Sequence, residues 1–120
     1  MSESDRSALL VARQPARRRT IALALERHGV SVVGEIARPD EALPILEQHG
    51  PALLVIELCA TTNDADVTRR NEQALELVRA ARERLPGLRV IAVTDSLDAD
   101  AFADAIGKGV DAYLLGSDAE

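Results

Sequence analysis

The stretch Ala52-Leu53-Leu54-Val55-Ile56-Glu57-Leu58 decides how this chain is read. A short apolar run of this kind, buried on both faces, belongs in the interior of a parallel sheet. Its one carboxylate, Glu57, emerges at the carboxyl end of the strand. In open α/β sheets that edge is where ligands and chemistry sit. Glu57 is therefore the first candidate site residue.

Outward from this strand, strand and helix signals alternate with short joints. Toward the amino end, Ala8 to Val11 is a short apolar strand, and Pro15 suits the first turn of a helix because its missing N–H is not needed there. That helix carries Ile21, Leu25 and His28 along one stripe and stops at Gly29. Val30 to Ala37 is β-branched and reads as a strand. Pro39-Asp40-Glu41 opens a second helix with acids at its positive end, Pro44 falls early enough to be tolerated, and Gly50-Pro51 closes it.

On the other side, Ala74, Leu77, Val78, Ala81 and Leu85 follow helical spacing, ended by Pro86-Gly87. Leu88 to Thr94 is a fourth strand. Ala99, Phe102, Ala103 and Ile106 mark another amphipathic helix, with Ser96 or Asp98 as N-cap. Gly107-Lys108-Gly109 turns into a last strand, Ala112 to Leu115. Repeated β-α units call for a parallel sheet covered on both faces. Five strands against four helices leave one face near the first helix under-covered, so either the sequence is cut from a longer protein or another surface covers that patch.

A length of 120 residues suits one domain, and a hydrophobic share of 47% can fill its core. Only Phe102 and Tyr113 are aromatic, so packing rests on aliphatic side chains. A net charge of −6 argues against direct nucleic-acid binding, where a basic footprint dominates affinity. The lone Cys59 excludes an intrachain disulfide and fits a reducing cytosol; it reads as a small buried hydrophobe rather than a redox sensor. No apolar run is long enough to span a bilayer, and the polar start is not a signal peptide, so a cytoplasmic location is expected. With no Gly-rich phosphate loop, nucleophile elbow or metal-ligand spacing, neither enzyme activity nor a cofactor is expected. His28 and His49 each precede a helix-ending glycine, where an imidazolium favours the helix dipole. Arg17-Arg18-Arg19 and Arg69-Arg70 read as solvated faces.

In this order and spacing, Leu10-Val11-Ala12-Arg13-Gln14-Pro15, Val32-Val33-Gly34-Glu35, Glu41-Ala42-Leu43, Leu54-Val55-Ile56-Glu57-Leu58, Val90-Ile91-Ala92-Val93-Thr94 and Ala112-Tyr113-Leu114-Leu115-Gly116 carry a resemblance. Over nearly the whole chain it resembles the CheY-like receiver domain of response regulators in two-component systems, of the NarL/LuxR type. The resemblance implies a flavodoxin-like α/β three-layer sandwich, five parallel strands in the order 2-1-3-4-5, with the final helix absent from this chain.

It also implies a site from which much of the chemistry has gone. The acidic pair that would bind Mg²⁺ is Ala12 and Arg13 here, the phosphoacceptor aspartate is Glu57, and the lysine after the fifth strand is Gly116. The phosphoryl-contacting hydroxyl is kept as Thr94 and the aromatic switch as Tyr113. One carboxylate beside an arginine is a poor site for a hard cation, and phosphoryl transfer needs charge neutralisation. Glu57 is open to three readings: a mimic of the phosphorylated state that reaches Thr94 and holds Tyr113 inward, a partner of the Arg13 guanidinium that ties two strand ends together, or a degenerate position whose carboxylate is only solvated beside a solvent-facing arginine.

The polar stretch from Cys59 to Asn71 is longer than the family's loop. It is either a lid or docking loop over the pocket, or a disordered insertion or an early turn added to the third helix. Asp64 and Asp66 lack the glycine and closing glutamate of a calcium loop. The resemblance implies an atypical, phosphorylation-independent pseudo-receiver that regulates transcription through homodimerisation or partner contact, beside a DNA-binding output domain in a longer regulator. A small-molecule sensor and a stand-alone adaptor docking on a signalling protein are the alternatives.

Overall fold

The computed structural model describes residues 6–58, 65–94 and 99–115. Five strands, β1 (Ser7–Val11), β2 (Ser31–Ile36), β3 (Leu53–Glu57), β4 (Arg89–Thr94) and β5 (Ala112–Leu115), alternate with four α-helices. The helices are α1 (Pro15–Arg27), α2 (Ala42–His49), α3 (Ala65–Arg84) and α4 (Ala99–Gly107), with a 3-10 turn at Pro39–Glu41 leading into α2. All strand pairs are parallel, and the sheet order is β2-β1-β3-β4-β5. The expected α/β fold and strand order are those observed. The limits of the strands differ from the sequence reading by a residue at some ends, where the ladder stops before the apolar pattern does.

Alternation along the central strands splits the core in two. Leu9 and Val11 of β1, Leu54 and Ile56 of β3 and Val90 and Ala92 of β4 pack with α2 and α3 through Leu46, Ala74, Leu77 and Val78. Leu10, Val55 and Val93 face the other way, onto Ile21 and Ala22 of α1. Beyond α1, that second face continues through the half-buried Leu53 and Ile91 to Leu114, which is 41% exposed. The expectation of a less covered face near the first helix holds among the described residues. The termini of α1 and α2 also follow the reading, with Gly50 in the left-handed region (φ 54°) capping α2. His28 does not belong to the apolar stripe: it is exposed at the C-cap of α1.

Two details set the outer strands. Ladder positions pass from Ala8↔Val32 to Leu9↔Gly34, so Val33 is an extra residue in β2. A Cβ on Gly34 would stand 2.9 Å from Leu9 Cδ1, which is why the bulge carries glycine. At the opposite edge, the Asp111 carboxylate accepts from Val90 N (2.8 Å) and from Arg82 Nη1 (2.9 Å), fastening β5 and α3 to the start of β4.

Residues 65–71 extend α3 toward its amino end, so the polar stretch is in this part an addition to the third helix. Residues 59–64 of it, including Cys59 and Asp64, lie outside the described residues, as do Ser96, Asp98 and Gly116. Among the described residues no helix is long and apolar enough to cross a membrane.

Candidate functional site

The register of the central strands builds the site. Val11 is paired with Ile56, so Ala12 and Arg13 leave β1 beside the end of β3. Ala12 N continues the β1–β2 ladder by donating to Ile36 O at 3.0 Å. The next amide, Arg13 N, turns to the other side and donates to Glu57 Oε1 at 2.9 Å. Glu57 Oε2 lies 3.5 Å from Arg17 Nε, one turn into α1. With a side chain only 9% exposed, the carboxylate sits at the amino end of α1, where the helix dipole favours an anion. Gln14, the N-cap residue, makes no side-chain capping bond of its own.

This corrects the expected pair. The guanidinium that meets Glu57 belongs to Arg17, and Arg13 contributes its backbone N–H while its side chain is exposed. Arg17 stands in the first turn of α1, four residues after Arg13, a position hidden by reading Arg17-Arg18-Arg19 as a solvated run. The two neighbours are also engaged. Arg18 Nη1 donates to Ala12 O at 2.8 Å, and Arg19 Nη1 meets Glu35 Oε2 at 2.7 Å.

Glu57 lies opposite Val93 in the ladder and makes no hydrogen bond to Thr94. The Thr94 hydroxyl, in a residue 1% exposed, has no hydrogen-bond partner among the described residues. Tyr113, paired with Ala92, is partly buried against the α2–α3 side of the core. Of the expected site residues, the fold brings Ala12, Arg13 and Glu57 together, and no hydrogen bond joins the Thr94 hydroxyl to them.

Receiver-type phosphorylation chemistry implies Mg²⁺, and the residues here do not fit it. Ala12 offers no side-chain oxygen, and both oxygens of Glu57 are taken by cationic or N–H donors. A hard divalent cation takes oxygen ligands. Among the described residues no three His, Cys, Asp or Glu side chains converge to hold a metal.

Over this edge opens a cleft of about 350 Å³. Val11, Ala12 and Ala37 line its strand side, and Pro39 and Ala74 add apolar wall. Charged groups are Arg13, Arg38, Asp40, Glu57 and Arg70, joined by Asn71 and Gln73 of α3. The amino-terminal turns of α3 therefore wall the pocket. Val67, Asn71, Ala74 and Val78 continue the helical spacing backward, a signal available in the sequence. On α3, the Arg79 hydrogen bond lowers the pKa of the exposed Glu76 carboxyl.

No family model matches the chain. A curated relative, the Ycf55-like protein of Synechocystis sp., is 31% identical over 115 residues, which is 95% of this chain and 19% of that protein. The chain thus spans about a fifth of the length of that curated relative. Among solved structures it is similar to the signal receiver domain of the putative response regulator NarL from Mycobacterium tuberculosis, with TM-score 0.75, 22% identity and coverage of 93% of this chain and 84% of that one. A two-component response regulator of the LuxR family from Aurantimonas sp. SI85-9A1 gives TM-score 0.76 and 22% identity over 94% of this chain and 75% of that one. A DNA-binding response regulator of the LuxR family from Staphylococcus aureus gives 0.73 and 20%, over 92% and 86%. With strand order, helix placement and these likenesses in agreement, the chain has the CheY-like fold of response-regulator receiver domains.

Proposed function

We propose that this chain is an atypical, phosphorylation-independent receiver domain: a signalling module that acts by contact, without catalysis. The observation that carries this reading is the occupation of Glu57 by Arg13 N–H and the Arg17 guanidinium. In that arrangement the carboxylate is a fastening between β3 and α1. Phosphoryl transfer depends on metal and positioned cations around a free acceptor, and neither the acceptor type nor the metal ligands are in place.

Output would pass through apolar surface. Ile106 of α4 is 42% exposed and Leu114 of β5 41% exposed, apolar surface open to a second copy or a partner protein. Regulation of transcription through a homodimer is the form this takes in the reading, since the Staphylococcus aureus neighbour is described as DNA-binding. The net charge of −6 assigns any DNA contact to a separate output domain.

The test is thermal melting with and without Mg²⁺ plus beryllofluoride, beside a Glu57→Asp, Arg13→Asp variant. The native chain is expected to show no Mg²⁺-dependent shift. A clear shift in the native chain would overturn the reading, because it would demonstrate a working phosphoryl-analogue pocket.

A further inference from the structure

The cleft at the carboxyl edge holds more positive charge than the fastening of Glu57 accounts for. Arg38 is answered by Asp40 at 3.0 Å, and Glu57 by Arg17. Two guanidiniums on the wall remain: Arg13, at the end of β1, and Arg70, on the second turn of α3. Neither side chain has an ion-pair partner among the described residues. Arg70 is half-buried, so its charge has lost part of its hydration without gaining a carboxylate. In a chain of net charge −6, two arginines without an ion pair among the described residues line one cleft.

Between them the wall is apolar, made by Val11, Ala37, Pro39 and Ala74. A volume of about 350 Å³ lies within the range of small-molecule sites. The cleft also lies where β1 and β3 diverge in connection, the place where open α/β sheets take ligands. We propose that it binds a small organic anion. Arg13 and Arg70 grip a carboxylate or phosphate head, for which the planar guanidinium fork is suited, and the body lies on Val11, Ala37 and Pro39. The proposal rests on the phosphorylation-independent reading of this edge, and it names the kind of signal such a module would take instead. Bound there, an anion connects β1, the turn before α2, and α3, while placing negative charge beside Glu57.

The experiment is a titration followed by thermal melting, in EDTA and at ionic strength matched with NaCl. Hexanoate, hexyl phosphate and inorganic phosphate are the probes, against the native chain, Arg13→Gln, Arg70→Gln and, as control, Arg79→Gln on the exposed face of α3. A saturable rise in melting temperature is expected with a hexyl probe, by linkage, and the better head group distinguishes carboxylate from phosphate ligands. The apparent Kd should weaken about tenfold or more in Arg13→Gln and Arg70→Gln, the scale of a lost charge-assisted hydrogen bond, and stay unchanged in Arg79→Gln. Should a variant fold poorly, amide shifts of Ala12, Arg38 and Ala74 in the native chain report the same site. Absence of a saturable response, an equal loss in Arg79→Gln, or inorganic phosphate matching the hexyl probes would overturn the proposal. Because no metal or beryllofluoride is present, these outcomes are separate from the test of phosphorylation independence.

Discussion

Glu57 Oε2 and Arg17 Nε are 3.5 Å apart, and the same carboxylate accepts the Arg13 N–H through its other oxygen. One side chain of β3 is thereby held twice by the segment that enters α1. A partly buried pair of this kind loses more when one partner is removed than it contributes over a neutral replacement.

Glu57→Gln keeps an acceptor for Arg13 N–H but leaves Arg17 without its anion. A loss of about 1–2 kcal/mol is expected, read from urea midpoints. Arg17→Ala in the same background should cost less than it does alone, with a coupling of about 1 kcal/mol in the double-mutant cycle. Additive losses would show that the pair does not exist in solution.

Thr94→Val is expected to leave stability unchanged or raise it slightly. A buried hydroxyl with no partner among the described residues carries a desolvation cost that an isosteric methyl removes. A drop of more than about 1 kcal/mol in the same denaturation series would mean that the hydroxyl is bonded after all.

Gly34→Ala should destabilise by about 1–3 kcal/mol, the range of an overpacked core. The new Cβ meets Leu9 Cδ1 at 2.9 Å, and Leu9 is fully buried, so little room is left for it to turn. Adding Leu9→Ala to the Gly34→Ala protein should recover part of the strain, visible as a coupling term of opposite sign.

Asp111→Ala removes the acceptor of Val90 N–H and the partner of Arg82 together. The expected cost is about 1–3 kcal/mol for the amide left unsatisfied, and hydrogen exchange at Val90 should accelerate. Asp111→Asn, which keeps an acceptor, should cost less.

Glu76 gives the sign of one pH effect. Its hydrogen bond from Arg79 lowers the carboxyl pKa, with desolvation opposing. A depressed carboxyl contributes stability that is present above the unfolded-state pKa and lost as pH falls through the folded one. The difference in urea midpoint between the native chain and Glu76→Gln should therefore shrink as pH drops below about 4.3.

The fold was legible because parallel strands buried on both faces leave a simple record: Leu54, Val55 and Ile56 are apolar without interruption, and Gly29, Gly50 and Pro86-Gly87 punctuate the helices. The end of β3 was legible for the same reason, so Glu57 stood out. Its partner did not. Arg13 and Arg17 lie at the junction of a strand and a helix, and periodicity within either element does not say how one is turned against the other. Arg70 was hidden differently, since polar residues at the start of a long helix resemble a loop until something is found for them to wall.

The three consecutive arginines of α1 have an ordering of their own. Arg19, Arg18 and Arg17 meet Glu35 of β2, the Ala12 carbonyl that follows β1, and Glu57 of β3, so their sequence runs across the sheet in the order of its strands. They work like the teeth of a key, each cut for one position. Lifting α1 from the sheet would break all three contacts together, so the seating of this one helix is tied to three strands at once.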